Sequence, residues 1–316
     1  MMSSEISKSF FLMILVDGIG LSPKGCGDPV RRNLPWLQAL GQEGAAPLPA
    51  GGWAASTLAH LGVGGLPQSA TGHTTILTGI NAARCMGRHV PGFPTPTLKR
   101  MIESYNLMGV LEQWGYKAEY LNAFAPMHPV VRRKGLKSAA SIATLANGKA
   151  LRSIQDIRDR KALYHDFTNG VLILKGEPLP RWTPKQAGRI LARMSMEFDM
   201  SFFEYFLTDL AGHAMDLQEA CFQMRRIREF LEGVLEETDL SSGHVLVCSD
   251  HGNLEDLSVR THTRNPVPTM VWGPWAERLA LGLQSIEQIA PLVKETLALR
   301  KKGLVKEKQP EWEARL

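Results

Sequence analysis

Short, mostly apolar runs recur along the chain at Phe10–Val16, Phe202–Leu207, His244–Cys248 and Thr269–Trp272. A run of this length bounded by turn residues predicts a strand buried on both faces. Between and after the runs lie longer stretches, Leu98–Trp114, Lys185–Phe198, Leu217–Leu235 and Ile286–Leu299. Their apolar positions return every three to four residues, the spacing of one helix face. Strands alternating with helices predict an α/β fold with a mostly parallel sheet flanked by helices.

The middle of the chain breaks this rhythm. It begins through the proline-rich "GRHVPGFPTPT" and ends through "GEPLPRWTP". Two such crossings predict a smaller inserted cap domain over residues 86–184, within a core built from residues 1–85 and 185–316. The last stretch, "RKKGLVKEKQPEWEARL", is charged and predicts a frayed end.

Composition narrows the class. With 316 residues and 44% hydrophobic content, the chain can bury a sizeable core. Lys8 ahead of the first apolar run resembles a short signal-peptide core, but the run ends in Asp17 with no small-residue cleavage site, so a buried strand explains it better. No run reaches the roughly 20 apolar residues of a membrane helix. Cys26, Cys85, Cys221 and Cys248 are scattered without a CxxC pair, the pattern of reduced thiols in a cytoplasmic protein. The net charge of +5 is uneven, with a basic middle and acidic flanks. Aromatics do not interleave with the basic residues and no nucleic-acid motif occurs, which leaves a small anionic partner or a solvated basic face.

The flanks carry the chemistry. "FFLMILV" runs into Asp17, "FFEYFLT" into Asp209 and "HVLVCS" into Asp250. In an open parallel sheet the carboxyl ends of the strands share one edge, where ligands bind, so the three aspartates are expected on one rim. Three histidines join them: His213 four residues after Asp209, His251 beside Asp250, and His262 just before the last strand. Carboxylate and imidazole donors suit borderline divalent metals, with manganese favoured and zinc the alternative. Six such donors are too many for one catalytic ion with an open position and about right for two. Close carboxylates repel one another unless cations neutralise them, which also accounts for the acidic flanks. The stretch "GLPQSATGH" adds Ser69, which reads first as a helix cap.

Taken in order, "VDGIG", "GLPQSATGH", "TDLAGH", "SDHGN" and "HTRNPVP" resemble the alkaline phosphatase superfamily, in the branch of cofactor-independent phosphoglycerate mutase and phosphopentomutase. The resemblance spans residues 16 to 268. It implies an alkaline-phosphatase-like core, one metal held by Asp209, His213 and His262, and a second held by Asp17, Asp250, His251 and the Ser69 hydroxyl. It also implies that Ser69, three residues ahead of Gly72-His73, is the phosphorylated nucleophile; backbone N–H groups near Ala70 and Thr71 would cradle phosphate oxygens, and His73 would support the ligands or pack behind them.

The implied reaction is phosphoryl transfer through a phosphoserine, discharged by water in a phosphatase or by a second substrate hydroxyl in a phosphomutase. The insert is smaller than that of phosphoglycerate mutase, so the substrate is given only as a small phosphorylated metabolite. Candidate substrate contacts are Arg84, Arg88 and His89 near the first crossing, Arg132, Arg133 and Lys134 in "VRRKGLK", and His165 and Asp166 in "ALYHDFTNG". The reading from a different class is a metal-binding sensor or scaffold that kept the fold without turnover.

Overall fold

The first apolar run becomes β1, Phe11–Val16, all six of whose residues are inaccessible to solvent. Successive strand side chains point to opposite faces. Leu12, Ile14 and Val16 accordingly enter one hydrophobic cluster, and Phe11, Met13 and Leu15 enter another. The run is continuously apolar because both faces of its sheet are covered.

The computed structural model describes residues 10–23, 27–125 and 137–301. Its remaining strands are β2 Ala45–Pro47, β3 Trp53–Thr57, β4 Ala118–Tyr120, β5 Met200–Tyr205, β6 His244–Cys248 and β7 Val267–Trp272. Among the described residues they form one seven-stranded sheet in the order β2-β3-β7-β6-β1-β5-β4. β6, β1, β5 and β4 pair in parallel, whereas the β6–β7, β7–β3 and β3–β2 pairs are antiparallel.

The helices are α1 Pro29–Asn33, α2 Ser69–Thr78, α3 Ala82–Met86, α4 Pro96–Tyr105, α5 Leu107–Gln113, α6 Ala139–Ala146, α7 Ile154–Arg158 and α8 Gly170–Leu174, followed by α9 Pro184–Ser195, α10 Leu207–Ala214, α11 Leu217–Glu237, α12 Ala276–Leu281 and α13 Ile289–Lys301. On one face of the sheet, Leu191 of α9 and Phe230 of α11 pack with Ile14 and Phe203. On the other, Ile76 of α2, Ile102 of α4 and Val293 of α13 pack with Met13 and Phe202. No helix among the described residues is long and apolar enough to cross a membrane.

Three local features differ from the periodicity. The stretch Leu98–Trp114 is two helices, because Asn106 adopts an extended backbone (φ −62, ψ 140) and its side chain caps α5 by accepting from the Gly109 N–H. The two proline-rich crossings resolve into helix starts, with Pro96 and Pro184 in the first turn behind the capping threonines Thr95 and Thr183. The described part of residues 86–184 shows no separate cap domain: β4 pairs with β5 in the common sheet, and α4, α5 and α6 share its second hydrophobic cluster.

The antiparallel turn of β7 positions the site. β6, β1 and β5 deliver Asp250, Asp17 and Asp209 from their carboxyl ends, Asp209 from the first turn of α10. Because β7 runs the other way, its amino end, which follows His262, lies at that same edge. β3 ends there too, with Thr57 opposite Val267, and the loop after it leads to α2 and Ser69.

Candidate metal centre

Two groups of possible ligands sit on this rim. Asp209, His213 and His262 form one and Asp17, Asp250 and His251 the other, each with its donor atoms within 4.8 Å of one another. In the first group, Asp209 Oδ2 lies 3.3 Å from His213 Nε2 and Asp209 Oδ1 lies 3.5 Å from His262 Nε2. In the second, His251 Nε2 lies 3.4 Å from Asp17 Oδ1 and 3.1 Å from Asp250 Oδ2. The rings of His251 and His262 stack with centroids 3.6 Å apart, so the groups adjoin.

Ser69 is the first residue of α2, and the capping position belongs to Gln68. Its Oγ lies 3.0 Å from His251 Nε2, at the edge of the second group. Gly72 explains how the helix comes so close: a Cβ there would stand 2.8 Å from Asp250 Cβ and 3.0 Å from Asp250 O. Gly18, at φ +72, makes the same allowance on the other side, where a Cβ would lie 2.8 Å from Asp209 Oδ1.

The donor chemistry fits divalent cations. His213 Nδ1 lies 2.7 Å from Arg260 O, and His262 Nδ1 lies 2.8 Å from Pro67 O. A ring nitrogen bonded to a carbonyl oxygen carries the proton, which leaves the Nε2 lone pairs of both rings facing each other at 3.2 Å. Without metal, a shared proton or repulsion must settle that pair, and a cation between the two rings and Asp209 would take both lone pairs as ligands. In the second group, Asp17 Oδ1 and Asp250 Oδ2 are buried and accept no hydrogen bond. Two buried carboxylates with open acceptor sites, sharing the His73 imidazole as a partner, are an arrangement that a divalent cation completes. Burial pushes the Asp17 carboxyl well above the usual carboxylate range, and the Asp250 charge pushes it further. Burial lowers His251 to about 4, so its ring is neutral and free to ligate near neutral pH.

Metal uptake is therefore expected to release protons. Burial alone would lower His262, but its bonds to Asp209 and Pro67 together with the Asp209 and Asp250 charges outweigh burial and raise it above the ordinary imidazole value, and Asp17 is raised as well. A cation competes with those protons, so its affinity rises as pH climbs through the raised imidazole range. Calorimetric titration in two buffers of different ionisation heat checks this, and no net proton release would contradict it.

His73 supports the ligands. One turn beyond Ser69 on α2, its Nε2 lies 3.3 Å from Asp17 Oδ2 and 3.1 Å from Asp250 Oδ2, and its Nδ1 lies 3.2 Å from Glu204 Oε1. Burial lowers its pKa, but Asp250, Asp17 and Glu204 together outweigh burial and raise it well above the ordinary value. Glu204 in turn accepts a 3.1 Å bond from the Tyr120 hydroxyl. Sequence reasoning passed over Glu204, although one charged residue inside the apolar run of β5 was a visible signal.

Asn253 and Glu255 were also passed over, though Asn253 ends "SDHGN" and Glu255 stands two residues beyond it. Asn253 Nδ2 donates to Asp209 Oδ1 at 2.7 Å. Glu255 accepts from Gly20 N at 2.9 Å, Asn253 N at 2.8 Å, Asn265 Nδ2 at 3.0 Å and the Thr263 hydroxyl. It ties together the loops after β1, after β6 and before β7.

A cavity of about 460 Å³ opens over Asp17, Ser69 and Asp209, and His165 lines it. The other described candidates do not line it. Arg84 and Arg88 are exposed outside the cavity lining, and His89 is half-buried with its pKa lowered by burial. Asp166 is buried with Oδ2 accepting from Val171 N at 2.9 Å, so it closes a local turn. Arg132, Arg133 and Lys134 lie outside the described residues.

Comparison with known proteins agrees with this geometry. Residues 180–301 match the Metalloenzyme superfamily, a span that contains Asp209, His213, Asp250, His251 and His262. A 2,3-bisphosphoglycerate-independent phosphoglycerate mutase of Desulforudis audaxviator is 32% identical over 111 residues, covering 33% of this chain and 22% of that protein. The corresponding mutase of Haloarcula marismortui is 34% identical over 71 residues, 21% of this chain and 14% of that protein. The matches thus span about a fifth or less of those relatives. In fold, PH0037 protein from Pyrococcus horikoshii aligns with a TM-score of 0.54 at 14% identity over 96% of this chain and 99% of that one. Alkaline phosphatase from the Antarctic bacterium TAB5 aligns with a TM-score of 0.50 at 12% identity over 92% and 98%. With two ligand groups on the rim of an α/β sheet, the chain carries a Metalloenzyme superfamily match within its second half, is distantly similar in sequence to cofactor-independent phosphoglycerate mutase, and shares the fold of alkaline phosphatase.

Proposed function

We propose that this protein is a metal-dependent phosphoryl-transfer enzyme, a phosphomutase or phosphomonoesterase acting on a small phosphate ester. The observation that carries the reading is the Ser69 hydroxyl, 3.0 Å from His251 Nε2 and lining one cavity with Asp17 and Asp209. A hydroxyl at that point serves group transfer, whereas a protein that only bound metal would have no use for it.

In this reading Asp209, His213 and His262 hold one ion, and Asp17, Asp250 and His251 hold the second beside Ser69. Manganese suits the carboxylate and imidazole donors, with zinc the alternative. When bound, the ions supply positive charge that acidifies the serine hydroxyl and neutralises the phosphoryl oxygens. Ser69 supplies the attacking oxygen and becomes phosphoserine as the substrate alcohol departs. The free N–H groups of the first turn of α2 offer donors to the phosphoryl oxygens, Ala70 lying at the cavity wall. His73, tied to Glu204, holds Asp17 and Asp250 in place. Residues read as a cap contribute Phe93, Tyr120, Asn122, Phe124 and His165 to the wall of the cavity. They serve the water-excluding role of a cap from within the common fold.

A screen of sugar phosphates, nucleotides and glycerate phosphates against Mn-loaded and Zn-loaded protein tests this, following both free phosphate and isomer. Isomer without free phosphate identifies a mutase and free phosphate a phosphatase. No turnover of any ester, with both ions bound, would favour the sensor or scaffold.

A further inference from the structure

The cavity over Ser69 has a mixed wall. Its floor is polar, with Asp17, Ser69 and Asp209, while aromatic rings rise around it. Tyr120 and Phe124 form one pair, with ring centroids 6.0 Å apart, and His165 and Phe206 form another at 4.6 Å. Tyr120 is held firmly: its ring stacks on Phe202 at 5.7 Å and its hydroxyl donates to Glu204. Phe93 also lines the cavity and is 41% exposed.

We propose that this cavity binds a planar aromatic group on the alcohol side of the phosphate ester while the phosphoryl group lies at Ser69. The inference rests on the phosphoryl-transfer reading and narrows its substrate class. Aromatic side chains offer large, stiff contact surfaces at low entropic cost, and they prefer rings to chains as partners through stacked and edge-to-face contacts. A volume of about 460 Å³ is within the range of small-molecule sites and leaves room for a ring beyond a phosphoryl group. The same chemistry is found in a phenolic ester and in a nucleoside monophosphate, and both are arms of the test.

The test measures binding, so that the inherent reactivity of aryl esters plays no part. Metal-loaded Ser69→Ala protein is titrated calorimetrically with methylphosphonate, hexylphosphonate, naphthylphosphonate and a nucleoside 5′-monophosphate. At least one aromatic ligand is expected to bind tenfold or more tightly than both alkyl phosphonates, and which one does so identifies the source. Adding Phe124→Ala should reduce that preference at least fivefold, with methylphosphonate affinity falling by a smaller factor. Phe93→Ala, at a half-exposed position whose truncation spares the core, should reduce it in the same direction. Equal affinity for hexylphosphonate and the aromatic ligands, or a preference indifferent to both phenylalanines, would overturn the inference alone. Binding of naphthol that Phe124→Ala abolishes, with no binding of methylphosphonate, would support the aromatic subsite and overturn the phosphoryl-transfer reading.

Discussion

Ser69→Ala is expected to lower turnover of any accepted phosphate ester by about 10³-fold or more, the scale on which a covalent nucleophile is missed. Its effect on folding should be small. Ser69 is the first residue of α2, Gln68 holds the capping position, and the hydroxyl bonds only toward the site, to His251 Nε2. A change away from cap and core is worth within about 0.5 kcal/mol. Paired assays of turnover and thermal unfolding separate the two effects, and equal rates for both proteins would remove Ser69 from the chemistry.

The second large effect belongs to Asp209. It faces His213 and His262 and accepts from Asn253. Asp209→Asn should leave one tightly bound ion where the parent protein binds two. Its loss of affinity at the first group should exceed the about 10–100-fold that follows removal of a supporting partner such as Asn253. Stability supplies an independent signature. Burial raises the Asp209 carboxyl, but its bonds to His262 and Asn253 and the nearby imidazoles outweigh burial and hold it below its ordinary value, so its charge stabilises the metal-free fold near neutral pH. Metal-free Asp209→Asn should therefore melt lower than the metal-free parent, and added metal should raise its melting temperature less. Metal content after desalting and thermal unfolding with and without chelator check both points. A variant that retained two ions would contradict the ligand assignment.

Much of this arrangement was legible in the sequence, for identifiable reasons. The runs that became β1 and β6 are strongly apolar because each is covered on both faces, and the acids after them mark the carboxyl ends of adjacent parallel strands. The helices at Pro184–Ser195 and Leu217–Glu237 kept their 3.6-residue spacing because each buries one face against the sheet. β2 and β3 were not legible: Ala45–Pro47 and Trp53–Thr57 are short, and alanine-rich stretches carry little periodic signal. The reversed direction of β7 was hidden for a different reason. A pattern of apolar residues fixes which face is buried but not which way a strand runs.

The candidate site followed the same division. Residues whose chemistry is distinctive, the three aspartates and three histidines, could be set on one rim from their places after or before strands, while their division into two groups came from the family resemblance. Residues that act through them could not. Glu204 lies within a strand and reads there as an interruption, and its role depends on His73 from α2 and Tyr120 from β4 meeting it in space. Glu255 bonds to Gly20, 235 residues away, a contact no local pattern encodes. Arg84 and Arg88 stand outside the cavity for a related reason: positive charge near a proline-rich crossing marks an exposed surface as readily as a binding site, and both are exposed.

The central claim is that two cations occupy the rim beside Ser69, and anomalous diffraction from crystals grown with manganese or zinc tests it most directly. The account predicts two peaks, one enclosed by Asp209, His213 and His262 and the other by Asp17, Asp250 and His251, with the Ser69 hydroxyl next to the second. Anomalous density confined to other parts of the surface, with neither group holding an ion, would contradict it.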